Sequence, residues 1–188
     1  MEVSWPMLLA DIAACERCRL CNGRTQTVPG EGNPRARLLL IGEGPGREED
    51  RLGRPFVGAA GQLLEKMLAA IGLTRDDVYI ANVVKCRPPE NRTPVADEVV
   101  ACLPHLRAQT ALIRPRVILL LGATALRAVL GDSARITRDR GKWVERKGVW
   151  IMPTFHPAAL LRDEGKKRPV WEDLKLVRDK LAEVGEGQ

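Results

Sequence analysis

Arg37-Leu-Leu-Leu-Ile41-Gly42-Glu-Gly-Pro-Gly46 sets an aliphatic run directly against a glycine-rich turn. A continuous apolar run of this length, closed by turn residues, is the pattern of a strand buried on both faces. Outward from it, Val78–Val84, Val117–Leu121 and Val149–Thr154 repeat the pattern. Leu63, Leu64, Met67, Leu68 and Ile71 line a helix face between the first two runs, with Gly72 at its C-terminus. Val99, Val100, Leu103, Leu106, Thr110 and Ile113 mark another helix, which Pro104 either kinks or restarts. A short helix over Ala123–Leu130 follows, and Trp171, Leu174, Val177 and Leu181 mark the last one. Trp5, Leu8, Leu9 and Ile12 open the chain as a short amphipathic helix. Strands alternating with helices predict a three-layer α/β/α fold around a central four-stranded, mainly parallel sheet, in one domain over residues 1–188.

Ligands bind such sheets at the carboxyl ends of the strands. Three of the four runs end there in polar or glycine-rich loops: Gly42–Gly46, Asn82–Asn91 and Phe155–Arg162. The net charge of +6 over 188 residues favours an anionic partner. Aromatics are only 4% of the chain, so Phe56, outside any periodic element, stands out. The longest aliphatic runs are strand-sized, which excludes a membrane-spanning helix by this pattern. The N-terminal residues lack a basic n-region and do not read as a signal peptide, so a cytoplasmic location with reduced thiols is expected.

Five cysteines are present, an odd number that argues against a fully paired disulfide framework. Cys15 and Cys18 form C-x2-C, while Cys86 and Cys102 lie far along the chain. Four thiolates in that arrangement suit zinc or an iron–sulfur cluster, and spacing does not separate the two. Cys21 falls at the next x2 interval and is a fifth candidate. Gly42-x-Gly44-x-Gly46 follows a strand, but its third glycine comes too early for a dinucleotide fingerprint, and Glu48-Glu49-Asp50 would repel a pyrophosphate. No P-loop sequence occurs.

Five blocks together are far more specific. Gly42-Glu-Gly-Pro-Gly-Arg-Glu-Glu-Asp50, Gly53-Arg-Pro-Phe-Val-Gly58, Gly61-Gln-Leu-Leu64, Asn82-Val-Val-Lys-Cys-Arg-Pro-Pro89 and His156-Pro-Ala-Ala-Leu-Leu-Arg162 resemble the family 4, iron–sulfur uracil-DNA glycosylases. The resemblance extends from Cys15 to about Leu181. It implies a uracil-DNA glycosylase-like fold, a monomer acting on uracil in single- or double-stranded DNA, and a [4Fe–4S] cluster on Cys15, Cys18, Cys86 and Cys102. Cys21 then stands outside the four-cysteine pattern.

The resemblance also implies roles. Gly44, Phe56, Asn82 and His156 form the uracil pocket, with Phe56 stacking on the flipped base. The Asn82 amide accepts from uracil N3–H and donates to O4, a pair of bonds that cytosine mismatches. His156 donates to uracil O2, where negative charge develops. Many relatives in the wider superfamily carry an aspartate at the position of Gly44, so the water needs another holder. Asn91 is the first choice, Glu43 braces the loop, and Glu49 is a further candidate for water activation. Leu160, Leu161 and Arg162 belong to a loop that enters the minor groove, with Leu161 or Arg162 as the wedge. Gly58 and the amides near Ala60 suit phosphate, as do two basic stretches, Arg135–Lys147 and Arg162–Arg168. The other histidine, His105, reads as solvent-exposed. Two alternatives remain: a non-catalytic or covalently trapping uracil-DNA binder, and a nucleotide-binding α/β protein with a zinc staple.

Overall fold

The computed structural model describes residues 4–185. Its sheet is built from β1 (Glu31–Gly32), β2 (Leu38–Gly42), β3 (Tyr79–Asn82), β4 (Val117–Leu121), β5 (Val144–Arg146) and β6 (Val149–Thr154). The spatial order is β1-β3-β2-β4-β6-β5. β3, β2, β4 and β6 run parallel, and the two edge strands are antiparallel to their neighbours. The sheet therefore has six strands, not four: the four apolar runs form its parallel centre. β1 has only two residues and β5 is wholly exposed, so neither carries an apolar pattern.

The helices are α1 (Trp5–Ala13), α2 (Arg47–Leu52), α3 (Ala59–Ala70), α4 (Ala96–Ile113), α5 (Ala123–Leu130), α6 (Ile136–Asp139), α7 (Pro157–Arg162) and α8 (Lys167–Gly185). Alternation along the central strands sends side chains to two cores. Leu39, Ile41, Ile118 and Leu120 pack with Leu106 and Ile113 of α4 and with Leu126 of α5. Leu38, Leu40, Leu119 and Met152 pack on the other face with α3, α7 and α8. This is the three-layer arrangement. Among the described residues no helix is long and apolar enough to cross a membrane.

Pro104 lies inside α4 without ending it. It removes the bond to the carbonyl of Val100, a residue on the exposed side of the helix where water can serve instead. Trp171 is also exposed; Val170 takes the core position ahead of Leu174. The charged segment after Gly46 forms α2, with Glu48, Glu49 and Asp50 in its first turn, where the helix dipole favours acids.

Candidate active site

The carboxyl ends of β2, β3, β4 and β6 surround a cleft of about 840 Å³. Glu43, Gly44, Glu49, Phe56, Ala60, Asn82, Asn91, His156, Leu161 and Arg162 all line it. The strand register places Gly42 beside Asn82. A Cβ on Gly42 would lie 2.5 Å from Asn82 Oδ1 and 2.6 Å from Phe56 Cζ, so only glycine lets the ring and the amide approach this closely. At Gly44 a Cβ would meet Val84 Cγ2 at 2.7 Å, so the space an aspartate would need is filled.

Phe56 sits at φ 52°, a left-handed conformation that needs external support. Arg75 supplies it on one side, with Nη1 donating to the Phe56 carbonyl at 2.8 Å and Nη2 to the Pro55 carbonyl at 2.5 Å. Glu31 anchors Arg75 in turn. On the other side Glu49 Oε1 accepts from the amides of Val57 and Gly58, both at 3.0 Å. The Phe56 ring stacks against His156 with centroids 5.5 Å apart.

Asn82 ends β3 and is buried, and its Oδ1 has no hydrogen-bond partner among the described residues. His156 is the N-cap of α7, and its Nδ1 accepts the Ala158 amide proton at 3.0 Å. That bond assigns Nδ1 as acceptor and leaves Nε2 to carry the proton. Burial pushes the imidazole down to about 4, with the nearby Arg162 charge acting in the same direction and Glu49 opposing it. The ring is therefore neutral at physiological pH.

The remaining expected residues divide by environment. Glu43 accepts a bond from the Thr124 hydroxyl, tying the β2 loop to α5. Asn91 sits in a turn at φ 56°, with its Oδ1 accepting from Arg87 Nε at 2.7 Å. Leu160 is 2% exposed and packs in the core, so it does not reach DNA; Leu161, 53% exposed, is the leucine at the rim. The Gly58 amide is used by Glu49, which leaves the following first-turn amides of α3 at the mouth. Most of the basic stretch from Arg135 to Lys147 is committed internally. Arg138 pairs with Asp139, Arg140 with the buried Asp173, and Arg135 and Arg146 with main-chain carbonyls. Arg162 and Lys166, by contrast, line the cleft itself.

A second, small cavity is lined by Cys15, Cys18, Cys21, Cys86 and Cys102 together. All five are free thiols. Arg24 Nη1 donates to Cys86 Sγ, and the Lys85 amide to Cys102 Sγ, each at 3.3 Å. Such N–H···S bonds are what thiolate ligands of an iron–sulfur cluster require, so the donor set fits that group. Among the described residues no three His, Cys, Asp or Glu side chains close around a single metal ion. His105 lines the same cavity at 1% exposure, a correction to its expected surface position. Packing of α1 against α4 covers it, and Asp11 of α1 lies 3.4 Å from its Nδ1.

Comparison with known proteins agrees with this arrangement. The sequence model of the Uracil DNA glycosylase superfamily matches residues 29–175. The chain is 47% identical to a type-4 uracil-DNA glycosylase of Thermotoga maritima, over 93% of each chain. It is 44% identical to one of Sulfurisphaera tokodaii, over 90% of this chain and 81% of that one. Identity to one of Archaeoglobus fulgidus is 47%, covering 90% and 89%. The chain thus belongs to the uracil-DNA glycosylase superfamily, in its type-4 family.

Proposed function

We propose that this chain hydrolyses the N-glycosidic bond of uracil in DNA, leaving an abasic site for repair. One observation carries the reading: a buried amide oxygen on Asn82, without a partner among the described residues, shares a cleft with an imidazole whose Nδ1 is already occupied as an acceptor. An unsatisfied buried acceptor is costly unless a ligand pairs with it. Uracil N3–H supplies that pair, and the Asn82 amino group then donates to O4. Phe56 provides the apolar face for the extruded base.

As the bond from C1′ to N1 breaks, its electron pair passes to the uracil ring and charge builds on O2. Neutral His156 donates there through Nε2–H, which stabilises the charge where it forms. Water attacks C1′ and gives up a proton, which passes to the departing uracil anion so that neutral uracil is released. Asn91 holds that water, its amide oriented by Arg87, with Glu43 and Glu49 fixing the loops around it. Leu161 is the wedge, and Arg162 and Lys166 meet phosphate at the rim.

Cys15, Cys18, Cys86 and Cys102 hold a [4Fe–4S] cluster in this reading, which their lining of one shared cavity and the N–H donors on Cys86 and Cys102 support. Held by these four thiolates, the cluster would cross-link the N-terminal segment to the region from β3 to α4; the hydrolysis itself transfers no electrons. The protein acts as a cytoplasmic monomer. Covalent trapping is disfavoured because the loop after β3 has no histidine and His105 is buried at the cysteine cavity.

The test is an oligonucleotide with one uracil, incubated with the protein and treated with alkali. Cleavage at uracil, with none at cytosine in the same position, is expected. An intact strand, or a band at protein-plus-DNA mass on a denaturing gel, refutes the proposal.

A further inference from the structure

Lys85 is the bulkiest fully buried side chain among the described residues, 1% exposed. An ammonium group is costly to bury, and no carboxylate pairs with this one among the described residues. Its Nζ instead donates to the backbone carbonyl of Asn82 at 2.7 Å and to Gln109 Oε1 at 2.6 Å. Gln109 is held in turn, its Nε2 donating to the Pro29 carbonyl at 2.6 Å. The Lys85 main chain is fixed at both ends, with its carbonyl accepting from Val28 N at 2.7 Å and its amide donating to Cys102 Sγ. An apolar side chain would fill this volume at less cost. What it would not do is hold the carbonyl of Asn82 just where β3 leaves the sheet ladder.

We infer that Lys85 is a positioning residue for Asn82, pinning its backbone so that the side-chain amide meets uracil at one fixed angle. The inference rests on the reading of Asn82 as the uracil-recognising residue. It also gives the cysteine cavity a mechanical route to the base pocket, since Lys85 lines that cavity while its tip holds Asn82.

A double-mutant cycle separates positioning from general support. Single-turnover uracil excision is measured for wild type, Lys85→Met, Asn82→Ala and the double variant, together with inhibition by free uracil. Lys85→Met is expected to slow excision and weaken free-uracil inhibition by roughly tenfold in the wild-type background, and by less than about twofold in the Asn82→Ala background. Multiplicative losses in the double variant, with Asn82→Ala itself impaired, overturn the positioning role alone. An unimpaired Asn82→Ala overturns the underlying reading and the inference with it. Gln109→Leu removes the lateral partner of Nζ while leaving the lysine in place. It provides the same comparison if Lys85→Met does not fold, with an expected loss of about threefold that also vanishes beside Asn82→Ala.

Discussion

The Ala158 amide decides what His156 does. With Nδ1 accepting that proton, the neutral ring carries its own proton on Nε2, the atom that the proposed reaction uses as donor. Its pKa is pushed down from 6.5 to about 4 by burial. A lowered histidine pKa keeps the neutral donor present above about 4 and loses it only as pH falls through that value. The rate of the chemical step is therefore expected to show no inflection near 6.5 between about pH 5 and 8. A single-turnover pH profile with a step at 6.5 would contradict this. His156→Ala removes the donor and is expected to slow excision by roughly 10²–10³-fold with substrate binding retained. At this scale the two histidines differ in legibility. The His156 bond reaches only two residues ahead, as an N-cap beside Pro157, so it is local to the sequence. His105 is buried by α1, more than ninety positions away by chain number, and no pattern within α4 signals it. Lys85 is set by distant contacts in the same way: Gln109 of α4 accepts from its Nζ, and Val28 donates to its carbonyl.

Among the elements, the loop carrying Phe56 at the cleft is held by residues from three other segments. Arg75 grips its carbonyls, Glu49 its amides, and Gly42 leaves room for the ring. Gly42→Ala forces a methyl group between Phe56 and Asn82. Overpacking of this kind costs about 1–3 kcal/mol of stability. Displacement of both groups is expected to cost excision roughly a hundredfold, well beyond the effect on folding. Thermal melting and single-turnover rates of the variant check the two parts. β4 and β6 occupy the same bounds as the apolar runs that predict them, because central strands buried on both faces must be apolar throughout. β1 and β5 lie at the sheet edges, and their sequences, Glu-Gly and Val-Glu-Arg, carry no such requirement. The acidic run in α2 carries no apolar periodicity: its stability comes from its N-terminal position, with Asp50 buried to accept the Thr25 amide.

Over the whole molecule, the +6 charge resolves into committed and available cations. Arg140 serves the buried Asp173, whereas Arg162 faces the cleft. Arg162→Ala is expected to weaken DNA binding and to reduce the slope of log affinity against log salt by about one, and an unchanged slope in a salt titration would remove it from the interface. The cysteines come from distant parts of the chain to line one cavity. Purified protein is expected to absorb near about 400 nm, and Cys15→Ser or Cys102→Ser to lose that band and melt at lower temperature. Retained absorbance in both variants would exclude these thiols as ligands. The proposed reaction depends on the cleft at the strand ends. Its most direct test is single-turnover release of uracil from DNA by wild type, Asn82→Ala and His156→Ala. Rapid release by wild type, with roughly 10²-fold or greater loss in each variant, is predicted. Release at the wild-type rate by either variant would contradict it.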